Sequence, residues 1–465
     1  MSTQLDALPI EMLAHVALFL HRNHKYNKTD NGLLALRSAS RAGLDAVRRA
    51  IKSHPMDHVR FESGSGAQKI TAVGKVLGSG CRGLSYAAAP GNWAEETPEA
   101  LDALRQFIVV ETQGRLRQLS LNCSSISTQL FLEICSACPQ LKELDAGFGL
   151  SNFARADVDD FAAALSRSCP LLESVDIQRG ELVSPAETYA RHFPNLKCLD
   201  FEVETTEGGL YEPSRFDKIE AAARQCVGAE TLGLSWCAVS ADLAERLIRT
   251  PLQDRIKTLY FGFSDVSEQT LLRLAAGLKA LREIIFPDDF SGSPEFFRSL
   301  ARARPALKEL HFGEEADLID DACVAAICEN LALENLSIDR NDTLTPDVVD
   351  IILRSPTAQT LSDAAFFRSQ AVTSAGMLRL VRGCPRLWNL AWYVEGLTPL
   401  ATAWPEGTQH GKNVDDLTAL LKERCRGHAD WTFWVDPFIQ YCPYPLAEKW
   451  RYRQVSLWGF TSAAA

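Results

Sequence analysis

The sequence lacks the features that would mark a membrane protein or an enzyme. No run of about eighteen uncharged apolar residues occurs, which argues against a transmembrane helix. The opening Met1-Ser2-Thr3-Gln4-Leu5-Asp6 lacks the basic-then-apolar form of a signal peptide. Glu11 and His15 interrupt the first long apolar stretch, so a cytoplasmic or nuclear address is expected. No Gly-x-Ser-x-Gly elbow, His-Glu-x-x-His helix, Walker lysine pattern or kinase catalytic loop is present. The acidic residues are many but scattered, so no catalytic carboxylate pair stands out and a non-enzyme is expected.

Positive charge is also short. The net charge of −11 argues against general nucleic-acid binding. Its distribution is uneven: residues 1–60 carry nine Lys/Arg against five Asp/Glu, a net of +4, leaving −15 for the rest. A mildly basic head on an acidic body suggests two surfaces with different partners. Metal ligands in zinc-site spacing are missing too. Cys135-Ser136-Ala137-Cys138 is a lone C-x-x-C without a second pair, whereas a structural zinc needs four ligands. His15, His21, His24, His54 and His58 are joined by no Cys or acidic cluster, so neither a metal nor another cofactor is expected. Thirteen cysteines without a secretion signal read as reduced thiols; Cys138, Cys169 and Cys384 each precede a proline and behave as small buried hydrophobes.

What the chain does contain is repetition. Cys138-Pro139-Gln140-Leu141-Lys142-Glu143-Leu144-Asp145 recurs in form at Pro194–Phe201, Pro305–Phe312 and Pro385–Trp392. The frame is an apolar residue, another three on, and another two on. Its middle position falls at Leu119, Leu144, Val175, Leu199, Leu232, Leu259, Ile284, Leu310, Leu336, Leu361 and Leu390, with Leu361 the weakest fit. Successive steps are 25, 31, 24, 33, 27, 25, 26, 26, 25 and 29 residues. Met56-Val59-Phe61 and Cys81-Leu84-Tyr86 fit the same frame, giving about thirteen units.

A period of 20–29 residues on an L-x-x-L-x-L frame is the signature of leucine-rich repeats. Apolar residues two apart point to one face of a short strand. A single unit cannot bury that face, whereas stacked units make a continuous core. Between strands, Asp159–Ser168, Ser240–Arg249, Glu268–Leu278 and Pro346–Arg354 read as helices. Ser240-Ala241-Asp242 and Thr345-Pro346-Asp347 suit helix starts. The expected fold is therefore an α/β solenoid, with parallel strands on a concave face and helices on the convex face. Ordinary α/β alternation would not place apolar residues on one frame so often.

Three regions follow: a helical head over 5–52, the solenoid over 56–393, and a C-terminal stretch over 394–465. The last holds Trp404, Trp431, Trp434, Trp450 and Trp458, and reads as a cap over the final core face or as an aromatic binding patch. Gly78-Ser79-Gly80-Cys81-Arg82-Gly83 matches G-x-G-x-x-G, but a strand is expected after it rather than a helix, so it reads as a turn.

The head begins with a proline-started helix whose Leu13, Val16, Ala17 and Leu20 share one face. Its Leu8, Pro9, Glu11, Met12, Leu13, Val16 and Leu20 stand in the register of the F-box opening, and Leu33–Arg37 with Ser40-Arg41 is similar to that family's second half. The linker at 21–32 is longer than usual for the family, and Gly43-Leu44 stands where a tryptophan is common. The Cys-Pro-x-Leu-x-x-Leu frame resembles the cysteine-containing repeats that often follow an F-box. This resemblance implies the substrate-recognition subunit of a ligase built on a Skp adaptor and a cullin scaffold. Leu8, Pro9, Glu11, Met12, Leu13, Val16, Leu20 and Leu36 would then contact the adaptor. The alternative is a repeat scaffold unconnected with ubiquitin, whose head merely caps the first repeat.

Residues alternating with the core pair face the concave side. Asp145, Asp176, Asp200 and Glu202 make that face acidic; Trp236, Tyr260 and Phe263 form an aromatic group, and His311 lies further along. Aligned charge beside exposed aromatics is how a binding hot spot looks. The expected occupant is a protein substrate with a basic segment.

Overall fold

The structure is a computed structural model. It describes residues 59–393, apart from 63–66, 78–79, 88–96, 122–125, 147–157, 178–185, 203–215, 236–237, 263, 288, 314–318, 340, 342 and 368–371, together with a few residues between 412 and 423. The head and most of the tryptophan-rich stretch lie outside the described residues. The chain divides into two compact units, one of residues 1–206 and 217–229, the other of 207–216 and 230–465.

In the first unit, β1 (Val59–Glu62), β2 (Gly83–Ala87), β3 (Gln118–Leu121), β4 (Glu143–Ala146) and β5 (Ser174–Ile177) lie side by side in chain order, every pair parallel. A further strand, β6 (Cys198–Glu202), follows. The register aligns Val59, Leu84, Leu119, Leu144 and Val175. These are the middle residues of the frame, the two earliest units included. Leu84, Leu119 and Leu144 are buried to 2% exposure or less.

The second unit contains β7 (Thr231–Ser235), β8 (Ala238–Val239), β9 (Thr258–Tyr260), β10 (Asp265–Val266), β11 (Glu283–Ile285), β12 (Glu309–Phe312), β13 (Asn335–Asp339), β14 (Asp363–Phe367) and β15 (Asn389–Tyr393). β7, β9, β11, β12, β13, β14 and β15 are successive parallel neighbours, and β8 pairs with β10 separately. Leu232, Leu259, Ile284, Leu310 and Leu336 align as expected. At the next strand the expectation is corrected. Leu336 pairs with Ala364, which in turn pairs with Leu390. Leu361 is therefore the first residue of its frame, followed by Ala364 and Phe366, and the last two steps are 28 and 26 residues.

Helices fill the intervals. Val158–Ser168, Ala241–Ile248, Glu268–Gly277 and Val348–Arg354 match the expected segments closely. Their starts show why: the hydroxyls of Ser127, Ser240, Ser267, Ser293 and Thr373 each accept a hydrogen bond from the backbone N–H three residues on. Thr345 departs from this. Its hydroxyl accepts from Asp347 N, and the helix begins only at Val348.

The third frame position supplies an aromatic spine in the second unit. Phe261, Phe286, Phe312 and Phe366 are all buried there. Phe286 and Phe312 stack at 4.7 Å with rings 2° from parallel, and Phe297 meets both edge-on. Such contacts contribute beyond their buried area.

Just before several strands a charged residue forms a rung of the backbone ladder, a place taken by Ser362 and Trp388 before β14 and β15. Glu173 N donates to Lys142 O and Lys197 N to Glu173 O, both at 2.7 Å. In the second unit Lys308 N donates to Arg282 O and Glu334 N to Lys308 O, again at 2.7 Å. Side chains of opposite sign meet along these rungs, as in Lys257–Glu230 at 2.8 Å and Lys308–Glu334 at 3.3 Å. Among the described residues, no helix is long and apolar enough to cross a membrane.

Candidate functional site

Because the strands are in register and their frame residues turn inward, the alternating residues form straight rows on the opposite face of each sheet. In the first unit one row runs Ser85, Ser120, Asp145, Asp176. Ser120 Oγ donates to Asp145 Oδ2 at 2.7 Å, and Gln118 Nε2 donates to Glu143 Oε2 at 2.9 Å in the neighbouring row. Asp145 is half-buried, and Asp176 stands directly across from it on β5. Asp200 is exposed on β6, and Glu202 ends that strand.

The second unit has a different character. One row runs Thr258, Glu283, Glu309, Asn335, Asp363, Asn389. Its neighbour runs Gly233, Tyr260, Ile285, His311, Ser337, Ala365. Hydrogen bonds tie the first row together: Thr258 Oγ1 donates to Glu283 Oε2 at 2.7 Å, and Asn389 Nδ2 to Asp363 Oδ1 at 3.0 Å. Glu283 and His311 are only 5% and 3% exposed, and Asn335 and Ser337 are buried as well. Expected as an exposed contact, His311 is instead packed against the carboxylates of Glu283 and Glu309.

The expected contacts are therefore distributed as follows. Asp145 and Asp176 are brought together by register in the first unit. Tyr260 and His311 share a row of the second unit, with Ile285 between them. Trp236 and Phe263 lie outside the described residues, as do Leu8, Pro9, Glu11, Met12, Leu13, Val16, Leu20 and Leu36. The Glu283–Glu309–His311 group was not anticipated. Its signal was present all the same: aligning the frames at Ile284 and Leu310 puts Glu283 beside Glu309, with His311 two residues further on the same face.

The buried thiols of the repeat core are not placed to act as nucleophiles. Cys135, Cys138 and Cys169 are fully buried. The Cys169 thiol donates to Cys135 O at 3.2 Å, and its hydrogen bond with the Cys135 thiol, with burial, holds Cys135 well above the ordinary thiol range. Burial pushes Cys138 and Cys328 up to about 12. Thiols so protonated are poor nucleophiles and poor metal ligands. The glycine-rich stretch ends at Gly83, where β2 begins, and Cys81 Sγ donates to Gly83 O at 3.0 Å. A strand at that place removes the helix N-terminus that a phosphate would need.

Parallel strands in register, a helix in each interval, and a frame residue buried at each step define a leucine-rich-repeat solenoid fold in both units. No protein-family model matches the chain, and no curated protein does. Similar solved structures include the Rad7 and Elc1 complex from yeast, 13% identical with a TM-score of 0.43, covering 87% of this chain and 94% of that one. The leucine-rich repeat-containing protein LegL7 of Legionella pneumophila is 16% identical with a TM-score of 0.38, over 57% of this chain and 86% of its own. A Bacteroides fragilis protein is 13% identical at 0.38, over 59% and 82%. The class assignment rests on the register and burial given above.

Proposed function

We propose that the chain is the non-catalytic substrate-recognition subunit of a Skp–cullin–F-box ubiquitin ligase. In this reading the head binds the Skp adaptor through the apolar row of Leu8, Leu13, Val16 and Leu20, and the repeats bind the protein to be modified. The observation that carries it is the order of parts, an F-box-like opening followed by leucine-rich repeats. The strand face of the first unit supports the substrate half. Asp145 and Asp176 are opposed on neighbouring strands, and Asp200 is exposed further along the chain. Acidic residues along a strand face favour a basic segment as occupant.

The test is co-purification with the Skp adaptor, beside a Leu8→Ala/Leu13→Ala/Val16→Ala variant whose fold is checked by circular dichroism. Binding lost only in the variant supports the adaptor role. Failure of both proteins to bind reduces the chain to a repeat scaffold for protein interaction, with the head as a cap. For the substrate half, Asp176→Lys/Asp200→Lys should abolish capture of a basic peptide or client; unchanged capture would overturn the acidic-face assignment.

A further inference from the structure

Glu283, Glu309 and His311 come from two adjacent strands of one sheet. One oxygen from each carboxylate and a ring nitrogen all lie within 4.8 Å of one another. His311 Nε2 is 3.3 Å from Glu283 Oε1 and 3.8 Å from Glu309 Oε2. Donor atoms sharing a tetrahedral zinc ion, each about 2.0–2.2 Å from it, sit roughly 3.2–3.6 Å apart. One observed separation falls in that span and the other just beyond it, within reach of a small side-chain rotation.

The scaffold holds these donors on regular strands. Glu283 and Glu309 are register partners, and His311 is two residues along β12, on the same face. The Thr258 hydroxyl on β9 occupies Glu283 Oε2, which leaves Oε1 turned to the imidazole. A hydroxyl that orients a ligating carboxylate is the outer support that metal sites use.

Charge supplies an independent argument. Glu283 and His311 are nine-tenths buried or more, and buried charges require compensation. Two carboxylates, a neutral imidazole and a divalent cation sum to zero. The Glu309 side chain, 25% exposed, gives an ion its way in.

We propose that Glu283, Glu309 and His311 form a three-ligand site for a first-row divalent cation of the Zn²⁺ type, its fourth position open to water or to a side chain of a bound partner. One nitrogen and two oxygens suit such an ion, whereas Ca²⁺ and Mg²⁺ take oxygen throughout. The ion bridges β11 and β12 and adds a positive centre to a row of carboxylates.

The test uses the full chain, stripped with a chelator and dialysed against Zn²⁺ or Co²⁺. Compared with Glu309→Gln and His311→Gln, the unmodified protein should retain one more equivalent of metal. Co²⁺ should give visible d–d absorption bands that both variants lose, with affinity at this site falling at least about ten-fold. His192→Gln, a surface histidine beside Asp159, should behave like the unmodified protein. Absence of the bands in the unmodified protein, or equal metal content in Glu309→Gln, would overturn the proposal. If His311→Gln fails to fold, Glu309→Gln decides alone, because its side chain is partly exposed.

Discussion

The side-chain amide of Asn341 donates to the carbonyl oxygen of Ile319 at 2.8 Å, across the gap between two successive repeats of the second unit. The same side chain accepts from Leu344 N at 2.8 Å and from Thr343 N at 3.0 Å, and Asn341 is completely buried. One amide thus satisfies three backbone groups that lie outside any helix or strand. Asn341→Ala removes all three bonds; Ile319 and Leu344 are buried, although Thr343 is exposed and its hydroxyl still donates to Ile319 O. A loss of about 2–4 kcal/mol is expected. Urea denaturation of the full chain measures it; a loss below about 0.5 kcal/mol would show that the backbone re-pairs locally.

Gly277 ends the helix Glu268–Gly277 against the helix of the preceding repeat. A Cβ there would sit 2.4 Å from Ile248 Cγ2 and 2.8 Å from Ile248 Cβ, so the two helices approach this closely only over a glycine. Gly277→Ala should destabilise by about 1–3 kcal/mol through overpacking, despite alanine's better helix propensity. In an Ile248→Ala background the cost should be smaller, because the crowding methyl is gone. A double-mutant cycle by thermal or urea unfolding reads the coupling.

Glu173 lies between Lys142, 2.5 Å from its Oε1, and Lys197 at its Oε2. Hydrogen bonds from Lys142 and then Lys197 hold its carboxyl below the usual carboxylate range. A depressed folded value contributes stability above the unfolded pKa of about 4.3 and loses it as pH falls through the folded value. The group is largely solvent-screened, so Glu173→Gln should cost less than about 1 kcal/mol at pH 7. The difference should close on acidification below the carboxylate range, and shrink in high salt. Paired urea titrations at pH 7 and at acid pH provide the check.

The cysteines should divide sharply under alkylation. Cys198 is exposed, while Cys135, Cys138, Cys169, Cys226, Cys323, Cys328 and Cys384 are buried. Burial pushes Cys138, Cys323 and Cys328 up to about 12, so access and ionisation both oppose reaction. Peptide mapping after brief iodoacetamide treatment should find Cys198 labelled, and these buried thiols unlabelled until denaturant is added. Early labelling of Cys138 would show that the repeat opens locally under native conditions.

The amino-acid sequence by itself determined the repeat class, most of the register and the approximate helix positions. An apolar frame with a period near 26 residues has one economical burial solution, in which parallel strands stack so that each unit covers the next. It misplaced the frame at Leu361 because Ala364 is too small to advertise a core position; only pairing with Leu336 and Leu390 reveals it. Alternation along each strand told which residues leave the core but not which of them reach water. Asp200 does, whereas His311 and Glu283, placed on the same face by the same rule, are buried. Solvent exposure depends on what packs over a residue from distant sequence, and no local pattern encodes that. The Glu283–Glu309–His311 cluster, whose members lie up to 28 residues apart, follows from aligning the frames at Ile284 and Leu310, but its burial comes only from the tertiary structure.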